Sequence, residues 1–266
     1  MIYGPAMELV TSSDGTQIAF ERSGSGPPLV LVHGGVADHT RWRPVMDALG
    51  SHFTVLAMDR RGRGESGDCS EYDLTLEFED VAAVVRAAGP GTSLLGHSFG
   101  ALCALEAALL VDNLRHLILY EPPFSPGGEP IFDAGTFTRL MGRLEVGDRE
   151  GVLTIFYREI VHLPDDAIAA LRADPAWAGR VAAAHTIVRE GGIADYAYDP
   201  KRFSGLSLPV LLLTGEQSPA AFSAATYRLH ADLPHSELKT MAGQAHIAMD
   251  TAPDMFAQLV IHFLIR

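Results

Sequence analysis

The sequence predicts an α/β fold: a mostly parallel sheet flanked by helices and interrupted by an all-helical stretch. Three observations predict it. Short apolar, β-branched runs alternate with helix-length segments. Several of those runs are apolar throughout, as expected of strands covered on both faces. The alternation stops from Ile131 to about Gly192, where helix follows helix with no convincing strand, and resumes at Leu208-Pro209.

The strand-like runs are Gln17–Glu21, Leu29–Val32, Thr54–Met58, Ser93–Leu95, Leu117–Tyr120 and Val210–Thr214. The helix-like segments between and after them are Trp42–Leu49, Leu76–Ala88, Ala101–Leu110, Ala221–His230 and Met255–Ile265. Strand–helix–strand order of this kind requires right-handed crossovers and a largely parallel sheet. After Glu121-Pro122-Pro123 comes a Pro- and Gly-rich loop, Phe124–Pro130, and then the helical stretch. Within it Pro164 and Pro175 read as helix starts, the latter behind the cap-like Asp174. The chain thus divides into a first core part, residues 1–125, a helical cap, 126–205, and a second core part, 206–266. Met7 is expected to be the natural start, with residues 1–6 an extension.

Composition narrows the function classes. The chain has 266 residues, 47% apolar, with 20 basic and 33 acidic side chains and a net charge of −13. A nucleic-acid binder wants a basic face, so no nucleic-acid partner is expected. The acidity disfavours anionic membranes, and no apolar run is long enough to span a bilayer. The two cysteines, Cys69 and Cys103, make neither a disulfide framework nor a metal-ligand pair. No basic region followed by an apolar stretch opens the chain, so a cytoplasmic protein is expected. No metal and no cofactor are expected. Oligomeric state is left open.

The chemistry-bearing signal is Ser93-Leu94-Leu95-Gly96-His97-Ser98-Phe99-Gly100-Ala101. An apolar strand runs into G-x-S-x-G and directly into a helix, the context a nucleophile elbow requires. Gly96 and Gly100 remove side chains that would collide in so tight a turn. Ser98 then stands clear of the sheet at a helix N-terminus, where free N–H groups favour a developing anion. A second strand ends in His33-Gly34-Gly35. Glycine there leaves backbone N–H groups unobstructed, so the N–H groups of Gly35 and Phe99 are candidates for an oxyanion hole. His33 reads as a structural histidine bracing the loop. The run Asp59-Arg60-Arg61-Gly62-Arg63-Gly64-Glu65-Ser66 lacks the spacing of a phosphate-binding loop and reads as a structural turn packed near the nucleophile loop.

These motifs, in this order and spacing, resemble a capped α/β-hydrolase of the serine-esterase kind. The resemblance spans nearly the whole core. It implies an eight-stranded, mostly parallel sheet with a helical cap inserted after strand 6, and Ser98 as nucleophile. Relatives that open epoxides or remove halide use a carboxylate there, so acyl transfer to water is expected instead. It also implies a histidine in the loop after the last strand, which is His246; His230, His235 and His262 sit on or near other elements. The acid usually follows strand 7, but there the sequence reads Gly215-Glu216-Gln217-Ser218, with Ser218 where aspartate is expected. Some relatives keep the acid after strand 6, whose tip here carries Tyr120-Glu121-Pro122-Pro123. Glu121 is therefore the expected acid, with Glu216 as alternative and Asp250 or a Ser–His dyad behind it.

The expected activity is cleavage of a small to medium, uncharged carboxylic ester through a Ser98–His246–acid triad and an acyl-enzyme. Carbon–carbon bond or lactone hydrolysis on the same residues, and a non-catalytic ligand-binding role, are the alternatives. The pocket is expected to be apolar, with Phe99, Trp42, Phe124, Phe132, Phe137, Trp177 and Tyr196 as candidate lining. Cys103, one helix turn beyond Ser98, is expected to be buried packing.

Overall fold

The structure, a computed structural model, describes residues 7–127, 133–191, 193 and 196–266. The expected extension 1–6, part of the loop 124–130, and Phe132 lie outside the described residues. Eight strands form one sheet: β1 (Met7–Thr11), β2 (Gln17–Gly24), β3 (Pro28–Val32), β4 (Thr54–Met58), β5 (Thr92–His97), β6 (Leu114–Tyr120), β7 (Val210–Gly215) and β8 (Ser236–Met241). Their spatial order is β1-β2-β4-β3-β5-β6-β7-β8. β1 and β2 pair antiparallel with their neighbours, and every pairing from β4 to β8 is parallel.

The central strands alternate between two apolar cores. Val30, Val32, Leu56, Met58, Leu117 and Leu119 point into one. Leu29, Leu31, Val55, Ala57, Ile118 and Tyr120 point into the other. Period-two side-chain direction with apolar residues at both phases is why these segments read as continuous apolar runs. The first core packs against α2 (Leu74–Ala88), α3 (Phe99–Ala107) and α9 (Ala220–Asp232); the second packs against α1 (Arg43–Gly50) and α11 (Pro253–Leu264). Local sequence sets the helix ends. Asp73 accepts from the Thr75 N–H at 2.8 Å to open α2, and Gly89, at φ +96°, closes it. Cys103 is fully buried in the first core, as expected.

Six of the eight strands stand out in the sequence; β1 and β8 do not. Both are sheet edges with mostly exposed or half-buried side chains, so neither carries an apolar run. Lys239 on β8 is a charge of the kind that discourages edge-to-edge pairing.

Between β6 and β7 lie α4 (Ala134–Glu145), α5 (Arg149–Ile155), a π-helical turn (Phe156–Ile160), α6 (Asp165–Ala173), α7 (Trp177–Ala182) and α8 (His185–Glu190). Asp133 and Asp148 cap α4 and α5. Pro164 caps α6 rather than beginning it, and α7 begins two residues after Pro175, where the Asp174 carboxylate accepts from the Ala176 N–H at 2.7 Å. These helices share their own apolar cluster, which includes Leu140, Leu153, Tyr157 and Ile187 and reaches Val36 on the sheet side. Ile193, Tyr196, Tyr198 and Phe203 pack instead against the first core. Among the described residues no helix is long and apolar enough to cross a membrane.

Candidate active site

Ser98 links β5 to α3 with φ +54° and ψ −126°, a left-handed backbone rare for a residue with a side chain. The turn is held tight by its glycines. A Cβ on Gly96 would lie 2.3 Å from the Gly100 carbonyl oxygen, and one on Gly100 would lie 2.4 Å from the carbonyls of Val32 and His33. Only glycine fits at either place. Ser98 is half-buried, and its side chain opens into a cavity beneath the inserted helices. Phe99, the first residue of α3, has no intrahelical acceptor for its N–H. Gly35 and Phe99 both stand in the cavity wall beside Ser98.

His246 lies in the loop between β8 and α10 (Ala248–Thr251) and faces the same cavity. Its Nδ1 is 2.5 Å from Glu121 Oε2. A carboxylate accepts, so Nδ1 carries the proton, and in the neutral ring Nε2 keeps its lone pair. Glu121 directly follows β6, fully buried and with φ +48°. Its Oε1 accepts from Thr214 Oγ1 at 2.7 Å and from the Gly215 N–H at 2.8 Å. Burial pushes its pKa up, but the hydrogen bond and attraction of the His246 ring, with Ser218 and the Gly215 N–H, together outweigh burial and hold the carboxyl below its ordinary value. Ser218 stands close enough to add to this, although its buried Oγ has no well-formed hydrogen bond.

The histidine loop is clamped from several sides. The Tyr120 hydroxyl donates to the Ala245 carbonyl and accepts from the Ala248 N–H at 3.2 Å. His97 Nε2 donates to the His246 carbonyl at 2.7 Å. Burial, reinforced by the neighbouring His246, keeps the His97 ring well below the ordinary histidine pKa and so neutral. Phe222 stacks on the His246 ring at 4.4 Å. Sequence reasoning did not single out Tyr120, His97, Thr214 or Phe222. Each owes its role to a contact across the sheet or from α9, and nothing local marks it.

The rival acids lie elsewhere. Glu216 is exposed and accepts from the Gly243 N–H at 2.8 Å. Asp250 pairs with Arg41 at 2.7 Å. His33 is fully buried between two backbone groups, donating from Nδ1 to the Gly34 carbonyl at 2.8 Å and accepting the Arg60 N–H on Nε2 at 3.0 Å. It braces the loop, as expected. The Asp59–Ser66 turn packs beside the nucleophile loop, with the Arg60 guanidinium 4.4 Å from the Phe99 ring centroid. Arg60 also donates to Glu77 Oε1 and Oε2, each at 3.0 Å, and to Glu190 Oε1 at 2.8 Å. Arg63 donates to Glu190 as well. The charged turn is thus a buried ion network tying the sheet to α8. Asp38, His39 and Asp59 converge within 4.8 Å, the one grouping among the described residues that could hold a metal. Asp38 is already engaged in capping Thr40, and Asp59 already accepts from the His39 N–H, His39 Nδ1 and the Glu65 N–H.

The cavity has two branches that share Gly35, Ser98, Phe156, Val161 and His246. One holds about 530 Å³ and the other about 580 Å³, mouths included. The walls are mostly apolar, as expected, but Arg41 and Arg180 line the first branch and Glu190 the second. Of the candidate aromatics, Phe99 and Phe137 line it. Trp42 and Phe124 are core, Trp177 packs within the helical cluster, and Tyr196 donates to Glu106 at 2.6 Å. Phe156, Tyr157 and Phe222 take their place.

A sequence profile described as the alpha/beta hydrolase family matches residues 29–259. Among characterised relatives, the 2-(acetamidomethylene)succinate hydrolase of Mesorhizobium japonicum is 25% identical, over 91% of this chain and 89% of its own. The pimeloyl-[acyl-carrier protein] methyl ester esterase of Aeromonas hydrophila is 29% identical, over 93% of this chain and 99% of its own. The crystal structure of an alpha/beta hydrolase from Sphaerobacter thermophilus superposes with a TM-score of 0.83 at 37% identity, covering 96% of this chain and 99% of that one. With the elbow, the sheet order and the late histidine in place, the chain belongs to the alpha/beta hydrolase family.

Proposed function

We propose that the protein is a serine hydrolase that cleaves a small to medium carboxylic ester, with Ser98 as nucleophile, His246 as general base and Glu121 as the acid partner. The observation that carries this is the 2.5 Å contact between His246 Nδ1 and a buried, ionised Glu121, with His246 and Ser98 opening into one cavity. Ser98 Oγ attacks the ester carbonyl carbon as its proton passes to His246 Nε2. The N–H groups of Gly35 and Phe99 hold the oxyanion. The intermediate collapses, and the alcohol leaves with the proton from His246. A water then repeats the sequence on the acyl-enzyme, releasing acid and free serine. Glu121 keeps the imidazole in the productive tautomer and stabilises its cationic form.

Residues 126–205 act as the lid. Their helices supply Phe137, Leu140, Ile160 and Ile187 to the second branch, which takes an uncharged, apolar part of the ester. The relatives' names, a methyl ester esterase and a hydrolase, agree with this chemistry. The substrate is a small molecule, and the reaction needs no cofactor. Fluorophosphonate labelling read by intact mass and peptide mapping tests the proposal. One adduct per chain, on Ser98, is expected, and the Ser98→Ala variant should take none. Folded protein that takes no adduct would instead favour the non-catalytic, ligand-binding role.

A further inference from the structure

Two arginines line the first branch of the cavity, and no carboxylate does. Arg180 comes from α7, with its side chain 12% exposed. Its Nη1 is buried with no hydrogen-bond partner. The Asp174 carboxylate is 3.9 Å from its other terminal nitrogen, Nη2, too far for a hydrogen bond, and is itself 45% exposed. Arg41, from the short turn before α1, is also 12% exposed and pairs at 2.7 Å with Asp250, which stays outside the cavity wall. Both counter-charges therefore sit on the solvent side while the guanidinium groups border the cavity. Burial raises the pKa of the Tyr157 phenol in the same branch; both arginines oppose that rise, and Asp250 and Asp174 add to it, so both ion pairs act on one ring.

A guanidinium N–H turned away from water without an acceptor is costly, and buried donors are nearly always satisfied. The same side chain lines a cavity that also contains Ser98 and His246. A group bound there belongs to the molecule being cleaved. The planar fork of arginine matches a carboxylate, and one incompletely paired guanidinium suits a single negative charge rather than a polyanion.

We propose that Arg180, assisted by Arg41, forms a carboxylate-binding subsite, so that the preferred substrate is an ester with one apolar branch and one branch ending in a carboxylate. The proposal rests on ester hydrolysis at Ser98. The carboxylate can sit on the alcohol or on the far end of the acyl chain, and the test separates the two. Acetoxybenzoate is compared with acetoxybenzamide, and monomethyl glutarate with its primary amide, for wild type, Arg180→Gln and Arg180→Lys. In at least one pair the acid should exceed its amide in kcat/KM by about tenfold or more, the usual scale of a charge-assisted hydrogen bond. Arg180→Gln should erase that ratio and Arg180→Lys should restore part of it. The pair that responds identifies the branch carrying the charge.

A wild-type ratio at or below one in both pairs overturns the proposal, as does an Arg180→Gln variant that lowers acid and amide equally. Where Ser98 is labelled by fluorophosphonate but neither pair is cleaved, protection decides. Glutarate or hydroxybenzoate should slow labelling of wild type and not of Arg180→Gln, and absence of protection in wild type refutes the subsite. A folded protein that neither labels nor cleaves refutes hydrolysis at Ser98 first and the subsite with it.

Discussion

Replacing Glu121 with Gln removes one charge and almost no volume. The two carboxylate oxygens have different partners, and that decides the outcome. Oε1 accepts from two donors, Thr214 Oγ1 at 2.7 Å and the Gly215 N–H at 2.8 Å. A glutamine must therefore place its carbonyl oxygen there, because the reverse orientation sets an NH₂ against the Gly215 N–H and a displaced hydroxyl. Its NH₂ then faces His246 Nδ1 where Oε2 had been, 2.5 Å away. The imidazole answers by accepting on Nδ1 and moving its proton to Nε2. In that tautomer it cannot take the Ser98 proton, and no carboxylate remains to stabilise the imidazolium. Loss of the acid by tautomer reversal costs on the order of 10⁴-fold in turnover in a serine hydrolase triad. A fall of roughly 10³- to 10⁴-fold in kcat on any ester the enzyme accepts is expected for Glu121→Gln, with circular dichroism unchanged. Glu216→Gln serves as the control. Its carboxylate is exposed and accepts from the Gly243 N–H in the loop, so its effect should stay within about threefold, the scale of a surface change. Retention of more than a tenth of wild-type turnover by Glu121→Gln, or a collapse of Glu216→Gln instead, refutes the assignment.

Glu190→Ala leaves the buried guanidinium groups of Arg60 and Arg63 with only Glu77 between them; breaking such a pair costs about 3–5 kcal/mol, and calorimetry should show Tm lower by roughly 10 °C. Gly96→Ala puts a Cβ 2.3 Å from the Gly100 carbonyl, so the variant should be recovered misfolded or without fluorophosphonate reactivity, and a stable, fully reactive protein would show that the elbow has slack. Burial holds His33 and His97 well below the ordinary histidine value. The unfolded chain therefore binds more protons, and stability that is complete above pH of about 6.5 is lost as pH falls toward the folded values, by about 1.4 kcal/mol per pH unit for each ring. His39 shifts the other way, burial being outweighed by the Asp59 carboxylate, so its contribution is already complete in that window. Urea midpoints that stay level between pH 6.5 and 5 would contradict neutral burial of the two rings.

How much the sequence discloses depends on where the physics is local. The elbow is legible because close backbone packing demands glycine at Gly96 and Gly100, and that demand is written at the residues themselves. Glu121 is legible because an acid at the end of an apolar strand has no packing reason to be there. The inner strands are legible because two covered faces require apolar residues at both phases, whereas β1 and β8 each meet solvent. Tyr120, Thr214 and Phe222 are not legible, since each is defined by a partner brought near by the fold, and neither is Arg180, whose place in the cavity wall is set by the fold. Tyr120 meets a carbonyl 125 positions away, and Thr214 meets a carboxylate 93 positions back. Which aromatics line the cavity is not legible for the same reason: an aromatic side chain reads alike in a core and in a cavity wall.

The ties between the inserted helices and the sheet domain are unevenly placed. Among the described residues, the ion pairs that cross from helices α4 to α8 to the sheet domain all start on α8: Glu190 to Arg60 and Arg63, and Arg189 and His185 to Asp68; a fifth, Arg202 to Glu106, ties the end of the insertion, just before β7, to α3. Those of the other inserted helices, such as Arg158 with Asp165 and Arg139 with Glu159, close within the insertion. Peeling α8 away would strand cations in an apolar interior, while lifting α6 and α7 parts chiefly dispersion contacts. The roof is thus bolted along one eave. Breathing that keeps those ion pairs intact has to open away from them, on the side of α6 and α7, where Leu171 and Arg180 line the first branch, so an opening made there would pass the cationic wall.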